Sequence, residues 1–530
     1  MKTTAESAER TLAETYNRTP YTGNPYCLTH PALLAAYGHL YGLSPPPATR
    51  CRVLELGCGD GGNLIPMAYE LKNSEFVGID LSSVQIAAGQ QAVEALSLTN
   101  IHLKTRSIMD VNAADGRFDY IIAHGVYSWV PDAVKAQILE ICRNHLAAQG
   151  LAYISYNVLP GWQFNKSMRD LMLYRTRRME DHQECTNAAY EIVDTMISAT
   201  ADSNGFHDIQ FRFFGKTLQQ CHDLAGYLLH EYLEPDNDPF YFHQFARDLA
   251  QNGMQYICDA EQDDFELSGL PAQAVAKFQE IASDPLEVEQ YLDFLINTRF
   301  RRSLICHAEA RVDRKYQLEK ISPLHATTDV IPILENEEST IDEATRFKKT
   351  NGRAFSTEHP YAAQVLRKLS AIRPCTMTVS SLVQRIRDGE PADPGSDSGA
   401  QAEKIGHVIQ SLFFNGLLTL LGAPRICTRK ISEQPTASPI ARLQAPTGRI
   451  TNLCHRTIVM DDDMACYILA RLDGTCNRAE LADHMWAGIS SGKVPLHGNP
   501  PKNREDAQAQ MAAQLDQILQ NLARCGVLAS

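Results

Sequence analysis

Val53-Leu54-Glu55-Leu56-Gly57-Cys58-Gly59-Asp60-Gly61-Gly62-Asn63 is an apolar run that stops at a glycine-rich turn, and a helical pattern begins near Leu64. Glycines in such a turn permit backbone angles that a β-carbon forbids, and they let a ligand approach the main chain. The stretch therefore reads as a binding turn at the carboxyl end of a strand, the edge where open α/β sheets place their ligands. Gly57, Gly59 and Gly62 satisfy G-x-G-x-x-G, and Asp80 follows at a spacing suited to a ribose, so a dinucleotide is one ligand that fits.

Three details favour S-adenosylmethionine instead. Glu55 stands two residues before the first glycine, where a carboxylate reaches an ammonium directly or through water. Asp60 puts negative charge where a dinucleotide would place its pyrophosphate, and like charges in a dry cleft repel strongly. Phe76-Val77-Gly78-Ile79-Asp80 reads as a second strand ending in an acid, suited to both hydroxyls of a ribose. The sulfonium and ammonium of this methyl donor are cationic, so the same acids suit it.

The alternation continues. Ile101-His102-Leu103-Lys104, Phe118-Asp119-Tyr120-Ile121-Ile122-Ala123 and Leu151-Ala152-Tyr153-Ile154-Ser155-Tyr156 read as strands three to five, the last entered through Gly150. Helical segments over 63–71, 83–96 and 131–146 separate the strands. This order predicts a parallel, doubly wound sheet whose right-handed crossovers align the carboxyl ends of the strands along one cleft.

At these residues the sequence resembles a known family. Glu55-Leu56-Gly57-Cys58-Gly59 and Asp80 match the first two motifs of class I methyltransferases. His124-Gly125-Val126-Tyr127-Ser128-Trp129-Val130-Pro131, Tyr156-Asn157-Val158-Leu159-Pro160-Gly161-Trp162 and His230-Glu231-Tyr232-Leu233-Glu234-Pro235, followed by Pro239-Phe240-Tyr241-Phe242-His243, are similar to members that carry a regulatory domain. The rickettsial protein lysine methyltransferases belong to that group. The resemblance is dense over 16–307 and weaker beyond. It implies a Rossmann-like core with S-adenosylmethionine as cofactor and a helical insertion. Lysine side chains of a protein are the implied substrate.

Length and composition agree with a large globular protein. A chain of 530 residues exceeds one core, and about three or four domains are expected. Apolar residues make up 44% and charged residues 21%, and no apolar run is long enough to cross a bilayer. The start, Met1-Lys2-Thr3-Thr4-Ala5-Glu6, lacks the apolar core of a signal peptide. Fourteen scattered cysteines with no C-x-x-C pair read as small buried residues in a reducing cytoplasm. A net charge of −14 argues against a broad nucleic-acid footprint. Over 346–387, by contrast, nine Lys/Arg face a single acid, Glu358, which reads as a solvated face or as a docking strip for an acidic partner.

Four regions follow along the chain. Residues 1–162 are expected to form the cofactor-binding core, with a partly helical leader over 8–41; the resemblance implies that the leader closes over the cofactor, which makes Tyr21 a lid residue or else a core aromatic. Residues 163–312 form the regulatory insertion, with helices over 168–179, 188–200, 216–230 and 242–251. Its last two strands, 253–259 and 301–307, complete the sheet on either side of helices within 272–299. Residues 320–422 read as winged-helix-like, with helices over 360–372, 379–387 and 402–415, a strand over 416–421 and a polar loop over 388–399. Residues 440–530 form a C-terminal helical domain that repeats the theme, with helices over 464–472, 478–486 and 508–524. Winged helices bind DNA or dock proteins, and the acidic balance favours protein docking or interdomain packing.

Methyl transfer from a sulfonium is an in-line displacement, so the site must align nucleophile, methyl carbon and sulfur and keep water out. A lysine amine must first lose a proton, and an aromatic-walled cleft lowers its pKa by desolvation while its ring faces hold the cation. The segment after the fourth strand offers His124, Tyr127 and Trp129, and that after the fifth offers Tyr156, Asn157 and Trp162. Tyr156 and Asn157 are expected to hydrogen-bond the incoming amine, with His124 or Tyr127 relaying its proton; Trp129 and Trp162 line the substrate tunnel or simply pack. Cofactor contacts are expected from Tyr21, Glu55, Gly57, Cys58, Gly59, Asn63, Asp80, Leu81, His124 and, at the adenine, Ser107 and Ile108. Many class I enzymes have an acid where this chain has Ser107; Asp110 or the Ile108 main chain substitutes. His230-Glu231-Tyr232-Leu233-Glu234 is not H-E-x-x-H, so no metal is expected, although His243 nearby leaves a His/Glu site as an alternative; His230, Glu231, Tyr241 and His243 read as a polar hinge that gates the tunnel or contacts substrate, or as a structural hydrogen-bond cluster. Association as a homodimer is compatible with this reading. So are two other functions: small-molecule N- or O-methylation, and a non-catalytic regulator that binds the cofactor and acts through its winged-helix-like half.

Overall fold

The computed structural model describes residues 12–21, 23–201, 203, 205–221, 226–234, 236–261, 272–315, 317–334, 345–350, 352–389, 398–495 and 504–529. Strands β1 (Arg52–Leu56), β2 (Glu75–Asp80), β3 (Ile101–Thr105), β4 (Phe118–Ala123) and β5 (Leu146–Leu159) lie where the alternation predicts them. β1 is central and its Val53, Leu54 and Leu56 are buried, which is why it reads as an almost unbroken apolar run. It pairs in parallel with β2 and β4, β2 pairs with β3, and β4 with β5. Helices Leu64–Glu70, Ser83–Ala95 and Asp132–His145 make the crossovers. The strand order 3-2-1-4-5 switches direction between β1 and β4, which opens a crevice beyond their carboxyl ends.

After β5 the chain leaves the sheet through helices Trp162–Thr176, His182–Thr200 and Phe206–Cys221, which bury Met172, Val193, Phe214 and Leu218 in a core of their own. The helix expected over 216–230 begins earlier, at Phe206, and residues 222–225 lie outside the described ones. A π-helical turn (Leu229–Leu233), the short β6 (Phe240–Tyr241) and helix Phe242–Gln251 lead back to the sheet. β7 (Met254–Asp259) and β8 (Phe300–His307) flank helices Ala272–Ile281 and Pro285–Ile296, as expected. β8 inserts between β5 and β7 and runs antiparallel to both, so the sheet is mixed rather than wholly parallel. The alternation signal misses this because an antiparallel neighbour needs no crossover and leaves no periodic trace of its direction.

Beyond β8, strands His325–Thr327, Met377–Thr378 and Thr419–Leu421 form an antiparallel sheet beside helices Pro360–Ile372, Val379–Arg387 and Ser398–Phe414. Of the expected polar loop, residues 390–397 lie outside the described ones, and Ser398 already opens a helix. This region shares a core with the leader helix Pro31–Leu40: the Tyr37 and Phe413 rings are 5.2 Å apart and the Gly422 N–H donates to Ala32 O. A separate core organises the hairpin Arg449–Thr451/Thr457–Val459 with helices Asp463–Leu469, Arg478–Ser490 and Arg504–Arg524. Among the described residues no helix is long and apolar enough to cross a membrane.

Candidate active site

The glycine turn bends away from β1 with Gly57 at φ +72° and Gly59 at +56°, angles that favour residues without a β-carbon. The Gly57 and Cys58 N–H groups donate to Ile79 O, which locks the turn to the end of β2. There Asp80 accepts from the N–H groups of Gly59 and Ser82, each at 2.8 Å. A carboxylate has about four lone-pair directions, so Asp80 keeps acceptor capacity toward the crevice. Leu81, half-buried, follows it. At the end of β3 the Ser107 hydroxyl accepts from Met109 N–H at 3.0 Å and, with Ile108, forms the next piece of the rim.

Glu55 lies beneath the turn and is 3% exposed. Its Oε1 accepts from Asn63 Nδ2 at 2.7 Å, while its Oε2 is buried without a hydrogen-bond partner. Burial lifts its carboxyl from 4.5 to about 8, with the Asn63 bond acting the other way and the charges of Asp80 and Asp60 adding to the lift. An orphaned buried carboxylate oxygen costs about 1–3 kcal/mol or more, and a cation reverses that penalty. Asp60 plays a different part: it accepts the Gly62 N–H at 2.9 Å and the Gly23 N–H, binding turn to leader.

The leader closes the site. A β-carbon on Gly62 would lie 2.6 Å from the Gly23 carbonyl carbon, so the two chains touch only because this residue is glycine. Tyr26 N–H donates to Asn63 Oδ1 at 2.9 Å, and the Tyr26 ring packs 3.8 Å from that of His124. Gln85 donates to Tyr21 O, and Asn17 Oδ1 accepts from Ser82 and Val84. The insertion grips the other side: the His230 ring stacks on Tyr16 at 4.3 Å, stands edge-on to Tyr21, and lies 2.7 Å from Thr19 O and 2.8 Å from Glu234 Oε1. Tyr21 is thus part of the strap, and His230 holds the strap down.

His124, at the end of β4, has Nδ1 3.0 Å from the Tyr153 hydroxyl and 3.2 Å from Ser155 Oγ. Burial, helped by the charge of Arg302, pulls it down to about 3, so the imidazole is neutral at physiological pH. Asn157, from β5, donates to Asn237 Oδ1 at 3.1 Å, and Asn237 donates to the main-chain oxygen of Glu231 at 2.9 Å. This chain hangs the π-helical turn over the end of β5. Burial raises the Glu231 carboxyl from 4.5 to about 7.

The remaining expected residues lie elsewhere. Side chains alternate along a strand, so Tyr156 leaves β5 on the face opposite Ser155 and Asn157. It is 0% exposed, bonds Ser303 Oγ at 2.9 Å, and packs with Tyr127, Phe240 and Phe245 under the sheet. Tyr127, 4% exposed, belongs to the same cluster, so the expected amine-binding pair Tyr156/Asn157 is split across the sheet. Trp162 stacks on Tyr232 in the core of the insertion, and Trp129 is buried in a 3-10 turn. Tyr241 and His243 stack on each other, and His243 meets Gln290 of helix Pro285–Ile296. Among the described residues no group of three or more His, Cys, Asp or Glu is placed to hold a metal ion. Thr29, whose hydroxyl accepts from Asn63 Nδ2 at 3.0 Å, and Tyr26 lie in the leader motifs that resemble the family, whereas Tyr16 is a site residue that no motif singled out.

Three segments of the chain match known protein families. A methyltransferase domain family matches residues 53–150, a predicted methyltransferase regulatory domain matches 225–307, and the PKMT C-terminal winged helix domain matches 433–527. Two uncharacterized proteins of Rickettsia prowazekii (strain Madrid E) are similar to the chain. One is 29% identical over 512 residues, covering 94% of this chain and 90% of the relative; the other is 35% identical over 260 residues, covering 47% and 99%. The structure of PKMT2 from Rickettsia typhi superposes with a TM-score of 0.82 at 26% identity, covering 96% of this chain and 100% of that one. The same protein in complex with AdoHcy superposes at 0.81.

Proposed function

Since the chain belongs to the class I methyltransferases that carry a regulatory domain and a PKMT-type winged helix domain, we propose that it methylates lysine side chains of a protein with S-adenosylmethionine as donor. The observation that carries the cofactor reading is Glu55 Oε2, a buried carboxylate oxygen with no hydrogen-bond partner at the end of β1, beneath the glycine turn at the switch point of the sheet. A dinucleotide pyrophosphate would meet Glu55, Asp60 and Asp80 as repulsion, whereas a cationic ligand is attracted by the same acids. Bound S-adenosylmethionine supplies a methyl group activated by a sulfonium. Glu55 receives the ammonium, the remaining lone pairs of Asp80 receive the ribose diol, Leu81 and Ile108 flank the adenine, and Ser107 offers it a hydroxyl. Gly57 and Gly59 let the main chain come close.

On the nucleophile side, magnitudes separate the proton acceptors. His124 at about 3 lies some seven units below a free lysine at about 10.4, so it is a very poor base for that amine. Glu231, at about 7, leaves a gap of about three units, which desolvation of the amine in a closed cleft narrows. Glu231 also stands on the π-helical turn next to His230, whose ring stacks on Tyr16 of the leader, and it is near enough to act on the Tyr16 hydroxyl; on that placement we assign it the proton of the incoming ammonium. His124, with Nδ1 beside Tyr153 and Ser155, orients the wall behind the transfer. Tyr16, Tyr21 and Tyr26 exclude water.

The test is direct. The purified protein is incubated with methyl-labelled donor and fractionated lysate, and the label is located by mass spectrometry. Label on protein lysines is the expected result. Label confined to metabolites would overturn the substrate assignment in favour of small-molecule methylation. Donor uptake without any turnover would overturn the enzyme reading.

A further inference from the structure

A hairpin from the C-terminal region reaches into the cofactor site. Its strands are Arg449–Thr451 and Thr457–Val459, within the segment that matches a winged helix domain, and the tip is the five-residue turn 452–456. Asn452 Oδ1 accepts from the N–H groups of Cys454 and Arg456, which tightens the tip. His455 sits there with φ +57°, a left-handed conformation in which histidine is uncommon. It is 2% exposed although it stands on a loop. Strain and burial of a polar ring persist when the surroundings fix them, and they concentrate at functional sites.

The hydrogen bonds say what the ring does. His455 Nε2 lies 2.8 Å from Asn63 Oδ1. The same oxygen accepts the Tyr26 main-chain N–H, a group that can only donate, so this end of the Asn63 amide is its carbonyl. His455 must then carry its proton on Nε2. Asn63 Nδ2, at the other end, donates to Glu55 Oε1 at 2.7 Å. Asn63 caps helix Leu64–Glu70 with its main chain only; its side chain is committed to this relay. Meanwhile His455 Nδ1 is buried without a partner, a penalty that an apolar residue would avoid. The hairpin also holds the leader, since Arg449 and Thr457 both donate to Asn24 Oδ1, next to Gly23.

We propose that His455 is a positioning residue for cofactor binding. Through Asn63 it aims the Glu55 carboxylate at the donor's ammonium, so the C-terminal region completes the cofactor pocket. The inference rests on the reading of Glu55 given above and adds a contribution from a residue 392 positions along the chain from Asn63.

The experiment uses the full-length chain and two substitutions. Asn tolerates φ +57° but its side chain is too short to reach Asn63; Gln keeps an N–H donor at similar reach. S-adenosylhomocysteine binding by calorimetry is expected to weaken about tenfold in H455N and to recover most of the wild-type value in H455Q, the scale of one lost hydrogen bond. In turnover, the H455N loss is expected to fall on KM for the donor more than on kcat, with the unliganded protein still unfolding in the same cooperative transition. A double variant H455N/N63A is expected to bind no worse than N63A alone. H455N binding as tightly as wild type, or additive losses in the double variant, would overturn the proposal. Wild-type protein that ignores S-adenosylhomocysteine yet takes up a nicotinamide dinucleotide would instead overturn the reading of Glu55.

Discussion

At the scale of single residues, two buried carboxylates give pH signatures that separate donor binding from turnover. Glu55, lifted to about 8 by burial, is mostly protonated in the empty site at neutral pH and must ionise to receive a cation. Donor affinity should therefore rise with pH between about 6 and 7.5, by at most tenfold per unit, while a proton is released on binding. Calorimetry in buffers of different ionisation enthalpy checks this, and E55Q should bind weakly with a flat profile. The stability sign follows: a raised folded value favours the unliganded fold at low pH, and that contribution fades from near 4.5 until the pH passes about 8. The donor's thermal stabilisation should thus be larger at pH 8 than at pH 6. Glu231, at about 7, would act as the proposed proton acceptor in its ionised form, so kcat/KM should climb as pH rises through 7. E231Q should lose about 100-fold in kcat and the inflection near 7, with donor affinity retained.

At the scale of elements, the end of the sheet depends on one cation. Arg301 of β8 is 4% exposed, pairs with Asp259, Glu289 and Asp293, and lies 4.1 Å over the Phe242 ring. It ties β7, β8, helix Phe242–Gln251 and helix Pro285–Ile296 together. Removing one partner of a buried ionic cluster costs about 3–5 kcal/mol because the others are left uncompensated. R301A should lower the first thermal transition by several degrees, seen by calorimetry, and speed proteolysis of the insertion. The leader gives a milder case. In G62A a β-carbon must push against the Gly23 main chain, so the strap should lift while the sheet stays folded. Faster cleavage within residues 12–29 and weaker donor binding are the expected readouts.

At the scale of the whole molecule, the regions interlock around the crevice rather than follow one another as beads. The leader helix packs on the region of Phe413, the insertion holds Tyr16 and Tyr21, and the C-terminal hairpin bonds Asn63. A cavity of about 300 Å³ at this junction is lined by His30, Glu70, Asp329, His455 and Arg456, with Asp329 and Arg456 paired across it. Removing residues 433–530 should weaken donor binding more than H455N does, because it also frees the leader at Asn24; the same binding measurement compares the two. The hairpin tip is buried against the core that carries the glycine turn, with His455 bonded to Asn63.

The glycine turn, the acids at positions 55 and 80, and the alternation of strands and helices were legible in the chain because they are local. Each follows from backbone freedom, side-chain periodicity or the chemistry at one strand end, and together they indicated the fold class and the cationic character of the ligand. The sequence grouped Tyr127, Tyr156 and Asn157 because their segments follow the fourth and fifth strands, at the cleft end of the sheet; the two-residue period of β5 sent Tyr156 to the opposite face from Asn157, beside Tyr127. The direction of β8, the strap from Tyr16 to Thr29, the lifted Glu231 and the reach of His455 to Asn63 depend on contacts between residues far apart along the chain. No local pattern records such contacts, since burial and hydrogen-bond partners arise only when the layers pack.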